Sequence, residues 1–273
     1  MGPAKGWMVA GLALIAVPWV LFVGLLWWGQ EHLIFPGTWL LRGADARRAP
    51  WATVIEIPRE DGLTVPLLLS AHGNDRLVLM AHGNGELAAD MAAYAEVLAK
   101  AGWDLAVIEY RGYGGVGGWP TEPVLAGDLV AAVEVLEARG YALDRTIVHG
   151  RSIGGGVGST LLDERIPAGL VLESTFDSLA AVVRERWYAA VVPVGLLLRS
   201  PLDTRARVAR TGVPTFQVHD ATDHVIPLER AEQVAVDERH VTRGHPHGEA
   251  IVLVDPSVRT RWLAWLDERV PAS

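Results

Sequence analysis

The sequence contains no cysteine. That absence excludes a disulfide framework, a thiolate nucleophile and any cysteine-based metal site, and it leaves the redox compartment unmarked. A basic surplus is also lacking. The formal net charge is -8 at pH 7, and a chain without excess Lys and Arg cannot neutralise a run of phosphates, which argues against a nucleic-acid partner. The lysine of a Walker-type phosphate loop is missing from the glycine-rich stretches, and no internal repeat is visible. What remains is a chain of 273 residues, half of them apolar. That is enough for one large α/β domain or at most two small ones.

The first feature present is an uncharged apolar run from Trp7 to Trp28. About 22 residues rising about 1.5 Å each reach roughly 33 Å, enough to cross a bilayer. Trp7 and the pair Trp27-Trp28 stand at its two ends, where interfacial aromatics are expected, and Pro18 inside is tolerated in membrane helices. A cleaved signal peptide would have a shorter apolar region and a nearby small-x-small site, and Ala44-Asp45-Ala46 lies too far downstream. The expectation is an uncleaved anchor. Lys5 before it, and Arg42, Arg47 and Arg48 after it, diluted by Glu31 and Asp45, are too few charges to fix its orientation. The expected division is a stub and transmembrane anchor over 1–29, a membrane-proximal connector over 30–52 and an α/β domain over 53–273.

Beyond residue 52 the pattern changes. Thr53–Ile57 and Leu63–Leu69 flank Glu60-Asp61-Gly62 and read as a hairpin, with Pro66 suggesting an edge position. Strands follow at Arg76–Ala81, Asp104–Glu109, Thr146–Val148, Gly169–Leu172 and Val213–Val218, with helices expected at about 87–101 and 121–139 between them. Alternation of this kind predicts a mostly parallel sheet covered by helices on both faces, with ligands bound outside the carboxyl ends of its strands.

At one such end lies Gly150-Arg151-Ser152-Ile153-Gly154, a Gly-x-Ser-x-Gly pentad between an apolar strand and a run of small residues. In that context the pentad forms a strained strand-to-helix turn that exposes a serine hydroxyl, and the N–H of the following residue, Ile153, can face a developing oxyanion. A serine needs a general base, and the base an orienting acid. Both residue types follow strands downstream. Asp223 is the preferred acid, with Asp220 second and able to serve only the turn. The base is one of the histidines in Gly244-His245-Pro246-His247. His219, His224 and His240 read as structural, as does Glu173. His82 reads as a brace for its loop, and Arg111 as a tie between loops.

These segments together resemble the α/β-hydrolase superfamily, in particular its membrane-anchored serine-hydrolase branch, which includes protein depalmitoylases and related bacterial hydrolases. The resemblance spans nearly the whole chain. Gln30-Glu31-His32-Leu33-Ile34-Phe35-Pro36 resembles the branch's post-anchor segment and His82-Gly83-Asn84-Gly85-Glu86 its oxyanion loop. Arg111-Gly112-Tyr113-Gly114 and Pro120-Thr121-Glu122 resemble the loop after the next strand, and Glu173-Ser174-Thr175-Phe176 the strand end after the elbow. The resemblance implies an α/β-hydrolase fold behind one transmembrane helix. It also implies a Ser152-His247-Asp223 triad, an oxyanion hole from the N–H groups of Asn84 and Ile153, and no cofactor or metal. His219, Asp223, Ile226 and Pro227 match the family's acid loop and select Asp223. Gly244-His245 matches its Gly-His pair, whereas the spacing to Asp255-Pro256 favours His247, so His245 stays the alternative base. Val116 stands where relatives often carry serine, a departure that bears on substrate preference.

The stretch 177–210 is too apolar for an ordinary exposed loop and lies where this fold inserts a cap. It is expected to line an acyl-chain pocket or face the membrane; packing on the sheet as core is the other reading. The function implied is hydrolysis of carboxylic esters or thioesters, with small, acylated or lipid-like substrates and the membrane as partners. A serine peptidase of the same fold and a non-catalytic binding protein are the alternatives.

Overall fold

The computed structural model describes residues 3–41 and 43–272. The two N-terminal residues of the expected stub and Arg42, one of the charges weighed for orientation, lie outside them. Among the described residues, eight strands form one sheet in the order β1-β2-β4-β3-β5-β6-β7-β8. The strands are β1 (Thr53–Pro58), β2 (Thr64–Ser70), β3 (Leu77–Ala81), β4 (Asp104–Ile108), β5 (Thr146–Arg151), β6 (Gly169–Glu173), β7 (Thr215–Asp220) and β8 (Glu238–Thr242). The pairs β1–β2 and β2–β4 are antiparallel and all others parallel.

Both faces of this sheet are covered, so its central strands are apolar on both sides. Leu77, Leu79 and Ala81 of β3 face one core with Val148 of β5 and Leu170 and Leu172 of β6. Val78, Met80, Ile147 and Val171, one position out of step, face the other. The period of two thus divides each strand between two layers. Helices α4 (Glu122–Glu137), α5 (Ile153–Ser159) and α8 (Thr204–Thr211) supply Leu125, Leu129, Val157 and Val208 to the first core. Helix α3 (Ala92–Lys100) and the last helix, Pro256–Arg269, supply Tyr94, Leu98, Trp262 and Trp265 to the second.

Two features differ from the sequence reading. Pro66 is not on an edge, because β2 lies between β1 and β4. It is accommodated by register: the ladder to β4 begins at Leu67 opposite Ile108. The missing N–H of Pro66 therefore points where β4 has ended, while its carbonyl still accepts from Glu109 N–H at 3.0 Å. The second difference is β8, an edge strand with no counterpart in the sequence reading. Its residues Glu238, Arg239 and His240 carry no apolar alternation, as suits an edge that must not recruit further strands.

At the other end of the chain, α1 runs from Pro3 to Ile34, five residues past the expected anchor boundary, and α2 (Gly37–Leu40) follows after a two-residue break. Thirty-two residues give α1 a length of about 48 Å. Its stretch Gly11–Ile34 is long and apolar enough to cross a membrane, and an N-terminal signal sequence would pass the same test. Leu14, Ile15, Leu21 and Leu25 are exposed, whereas Gln30, Glu31 and Ile34 are buried against the body.

The segment 177–210 forms α6 (Leu179–Arg184), α7 (Val194–Leu197) and α8. It straddles both sequence-based readings: Leu179, Val194 and Leu202 are buried, while Leu196 is 87% exposed.

Candidate active site

Strand β5 delivers Ser152 into a turn with φ 52° and ψ -123°, a conformation few side chains adopt. Its neighbours make the turn possible. A Cβ at Gly150 would lie 2.4 Å from the Gly154 carbonyl oxygen, and one at Gly154 would lie 2.0 Å from that of Ala81. The turn is pinned by Ser152 N–H donating to Glu173 O at 2.8 Å and by Thr175 Oγ1 donating to Ser152 O at 2.6 Å. Helix α5 then starts at Ile153, whose N–H, at the first helical position, has no acceptor within the helix.

Two loops from farther along the chain converge on this serine. Ser152 Oγ lies 2.8 Å from His247 Nε2, and His247 Nδ1 lies 2.6 Å from Asp223 Oδ2. With Nδ1–H donating to the carboxylate, Nε2 is left as the acceptor for the serine hydroxyl. The other oxygen of Asp223 accepts from Val225 N–H at 2.8 Å and Ile226 N–H at 3.0 Å. Burial pushes this carboxyl up, but the bonds from His247 and the two backbone groups outweigh it and hold Asp223 below the usual carboxylate range.

His245 is elsewhere. Its Nδ1 lies 2.9 Å from Glu249, whose carboxylate raises the imidazole above its ordinary value, and its Nε2 is 3.7 Å from Asp255. Asp220 accepts from Thr222 N–H, Thr222 Oγ1, Thr242 Oγ1 and His245 N–H, so it shapes the turn and fixes the start of the histidine loop. His219 lies behind Asp223, 3.7 Å from the carboxylate, with its Nε2 on Ile226 O at 2.8 Å.

Asn84 follows β3, whose last residue, Ala81, is in register with Gly150. Asn84 and Ser152 therefore leave adjacent strands at the same end of the sheet. The Asn84 side chain is fully engaged: Oδ1 accepts from Tyr113 O–H at 2.5 Å, and Nδ2 donates to Ile34 O at 2.6 Å. Its backbone N–H donates to no group among the described residues. Beneath the loop, His82 bonds Gly83 O and Glu109 at 2.9 Å each and stacks on Tyr110 at 4.0 Å between ring centroids. Arg111 spends its guanidinium on Asp128 and Asp61 and ties loops together.

One group near the elbow has a role that the sequence did not reveal. Arg151, between Gly150 and Ser152, pairs with Glu86 and donates to the carbonyls of His247 at 3.3 Å and Gly248 at 2.7 Å. Glu86 in turn accepts from Gly83 N–H at 2.7 Å. One buried cation thus joins the loop of Asn84 to the loop of His247. The signal was an acid in the first loop and an arginine in the pentad. Below them, Glu173 is fully buried, accepting from Tyr94 O–H at 2.7 Å and Val252 N–H at 3.1 Å beside His149 at 3.0 Å. Burial raises Glu173, yet its partners, His149 first, leave it below the ordinary range.

A family model described as serine aminopeptidase, S33, matches residues 72–196. An uncharacterized protein of Mycobacterium tuberculosis is 30% identical over 234 residues, covering 83% of this chain and 80% of its own. An esterase of Pyrococcus furiosus superposes with a TM-score of 0.65 at 21% identity, over 80% of this chain and 91% of that one. A thermophilic esterase of Thermogutta terrifontis, solved with butyrate bound, gives 0.61 at 18%, over 80% and 93%.

Proposed function

We propose that this chain, which belongs to the α/β-hydrolase superfamily, is a membrane-anchored serine hydrolase of carboxylic esters or thioesters. The observation that carries the reading is the hydrogen-bonded chain from Ser152 Oγ through His247 to Asp223, with spacings of 2.8 and 2.6 Å. In the proposed reaction Ser152 Oγ bonds to the carbonyl carbon as its proton passes to His247 Nε2. Asp223 holds the imidazole and stabilises its cation, and the N–H groups of Ile153 and Asn84 receive the oxyanion. The C–O or C–S bond then breaks, and His247 returns the proton to the leaving alcohol or thiol. Water, deprotonated by the same histidine, releases the acid and restores the serine. The anchor is supported by the apolar stretch Gly11–Ile34 of α1, long enough to span a bilayer and carrying exposed Leu12, Leu14, Ile15, Leu21 and Leu25.

The deciding experiment is labelling of the full chain in detergent by a fluorophosphonate probe. Wild type is labelled, Ser152→Ala is not, and labelling collapses with His247→Ala but persists with His245→Ala. A folded wild type that takes no label overturns the reading. The description of the matching family model favours a second reading, an aminopeptidase. Faster turnover of aminoacyl p-nitroanilides than of p-nitrophenyl esters would select it.

A further inference from the structure

Helix α1 does not leave the body as a free tether. The Gln30 side chain accepts from Arg199 N–H at 2.8 Å and donates to Leu197 O at 3.1 Å. Arg199 also lies over the Trp27 ring at 5.0 Å and pairs with Glu31 at 3.5 Å. Higher on the helix, Trp19 Nε1 donates to Val191 O at 2.7 Å. The segment 177–210 is therefore fastened along the helix from Trp19 to Glu31, a rise of about 18 Å.

Between helix and cap lies a groove of about 350 Å³, within the size of ordinary ligand sites. Leu26, Leu33 and Ile34 line it from the helix, and Val183, Val192 and Leu197 from the cap. Among the described residues no charged side chain lines it, and the one polar residue there, Gln30, has both ends of its amide engaged. By contrast, the neighbouring cavity of about 560 Å³, across Val194 and Leu198, carries Arg184, Arg205 and Arg230 with three carboxylates. At one end the groove reaches Ile34, whose carbonyl oxygen accepts the Asn84 side chain. Its helix wall belongs to the stretch apolar enough for a bilayer.

We infer that this groove holds the acyl chain of the ester substrate, taken from the bilayer, so that α1 is one wall of the substrate site. The inference rests on the hydrolase reading above and names its substrate class: lipid-like esters whose acyl chain stays beside the anchor. A methylene fully transferred from water into such a site is worth about fourfold in binding, so occupancy reads out as chain-length preference.

The test uses the full chain in lipid nanodiscs with p-nitrophenyl acetate and p-nitrophenyl dodecanoate. Val183→Trp fills the groove from the cap and Leu26→Trp from the helix, so a folding defect in one leaves the other informative. Each is expected to lower the dodecanoate-to-acetate ratio of kcat/KM at least about tenfold, whereas Leu196→Ala, outside the groove, leaves the ratio unchanged. In a Ser152→Ala background, cis-parinaric acid reports binding directly, and Val183→Trp is expected to weaken it by a similar factor. An unchanged ratio overturns the inference, and if parinaric acid binding falls all the same, the groove holds a filling lipid rather than substrate. If wild type hydrolyses neither ester, the hydrolase reading fails, and binding alone decides the groove. Loss with Val183→Trp upholds an acyl-chain site there; indifference removes it.

Discussion

Arg151 Nη2 lies 2.7 Å from the carbonyl oxygen of Gly248, the residue after His247. The same guanidinium pairs with Glu86, so the position of the proposed base is referred to the loop that carries Asn84. Arg151→Ala removes this reference without touching Ser152, His247 or Asp223. A base displaced by about 1 Å can cost roughly a hundredfold in rate, so kcat for p-nitrophenyl acetate is expected to fall ten- to a hundredfold with KM little changed. Arg151→Lys should rescue poorly, because an ammonium cannot span Glu86 and two carbonyls with one planar fork. Activity close to wild type in Arg151→Ala would remove the positioning role.

The elbow predicts a stability cost. Gly154→Ala places a methyl 2.0 Å from Ala81 O, which is backbone and cannot swing aside. Forced shifts of this kind cost about 1–3 kcal/mol or more. Denaturant unfolding should show that loss, while Gly85→Ala, open on all sides, should be neutral.

His245 and its carboxylate neighbours predict a pH-dependent stability. Its folded pKa is raised, chiefly by Glu249, so its contribution is complete below the unfolded value of about 6.5 and disappears as pH rises through the folded value. The Tm difference between wild type and His245→Gln should therefore be largest at pH 5.5 and vanish by pH 9. Asp223 has the opposite sign. Its folded pKa is depressed, so its contribution is present above about pH 4 and lost on further acidification. A fall in turnover between pH 8 and pH 5 accordingly reports on a group other than Asp223, and the pH-rate profile of the full chain checks this.

Tyr113 reaches the site through Asn84. Tyr113→Phe deletes the 2.5 Å bond to Asn84 Oδ1 while keeping the ring, which is buried in the core edge-on to Tyr110. If the Asn84 N–H receives the oxyanion, loosening its loop should lower kcat about tenfold, a fraction of the loss on removing a donor outright. Parallel measurements on the acetate and dodecanoate esters should show the same factor, since the acyl chain plays no part in this effect.

The residues that the sequence made legible are those under hard steric or electronic constraint. Gly150 and Gly154 announce a turn that no other residue fits, and the unbroken apolar runs Leu77–Ala81 in β3 and Leu170–Leu172 in β6 announce burial on both faces. The two histidines were less legible because their loop has no period. What separates them is a fold in which Asp220 holds His245 N–H and leaves His247 to turn inward. Arg151 was invisible as a tie because the pentad leaves its position free, and its partners lie 65 to 97 residues away. β8 was missed because an edge strand of Glu238, Arg239 and His240 resembles a surface loop. Pro66 misled because its missing donor is compensated by register, a property of two strands together.

Helix α1 passes into the body at Gln30 and Glu31 with only Phe35 and Pro36 between it and the next helical turn. For a chain inserted by that helix, there is no leash. The proposed nucleophile would ride at a fixed height above the headgroups, and it would meet substrate by sliding through a two-dimensional film. Which bonds are cut would then depend as much on how deep a carbonyl sits in the film as on what surrounds it. Two esters of identical chemistry, one floating free and one embedded, would be different substrates to such an enzyme.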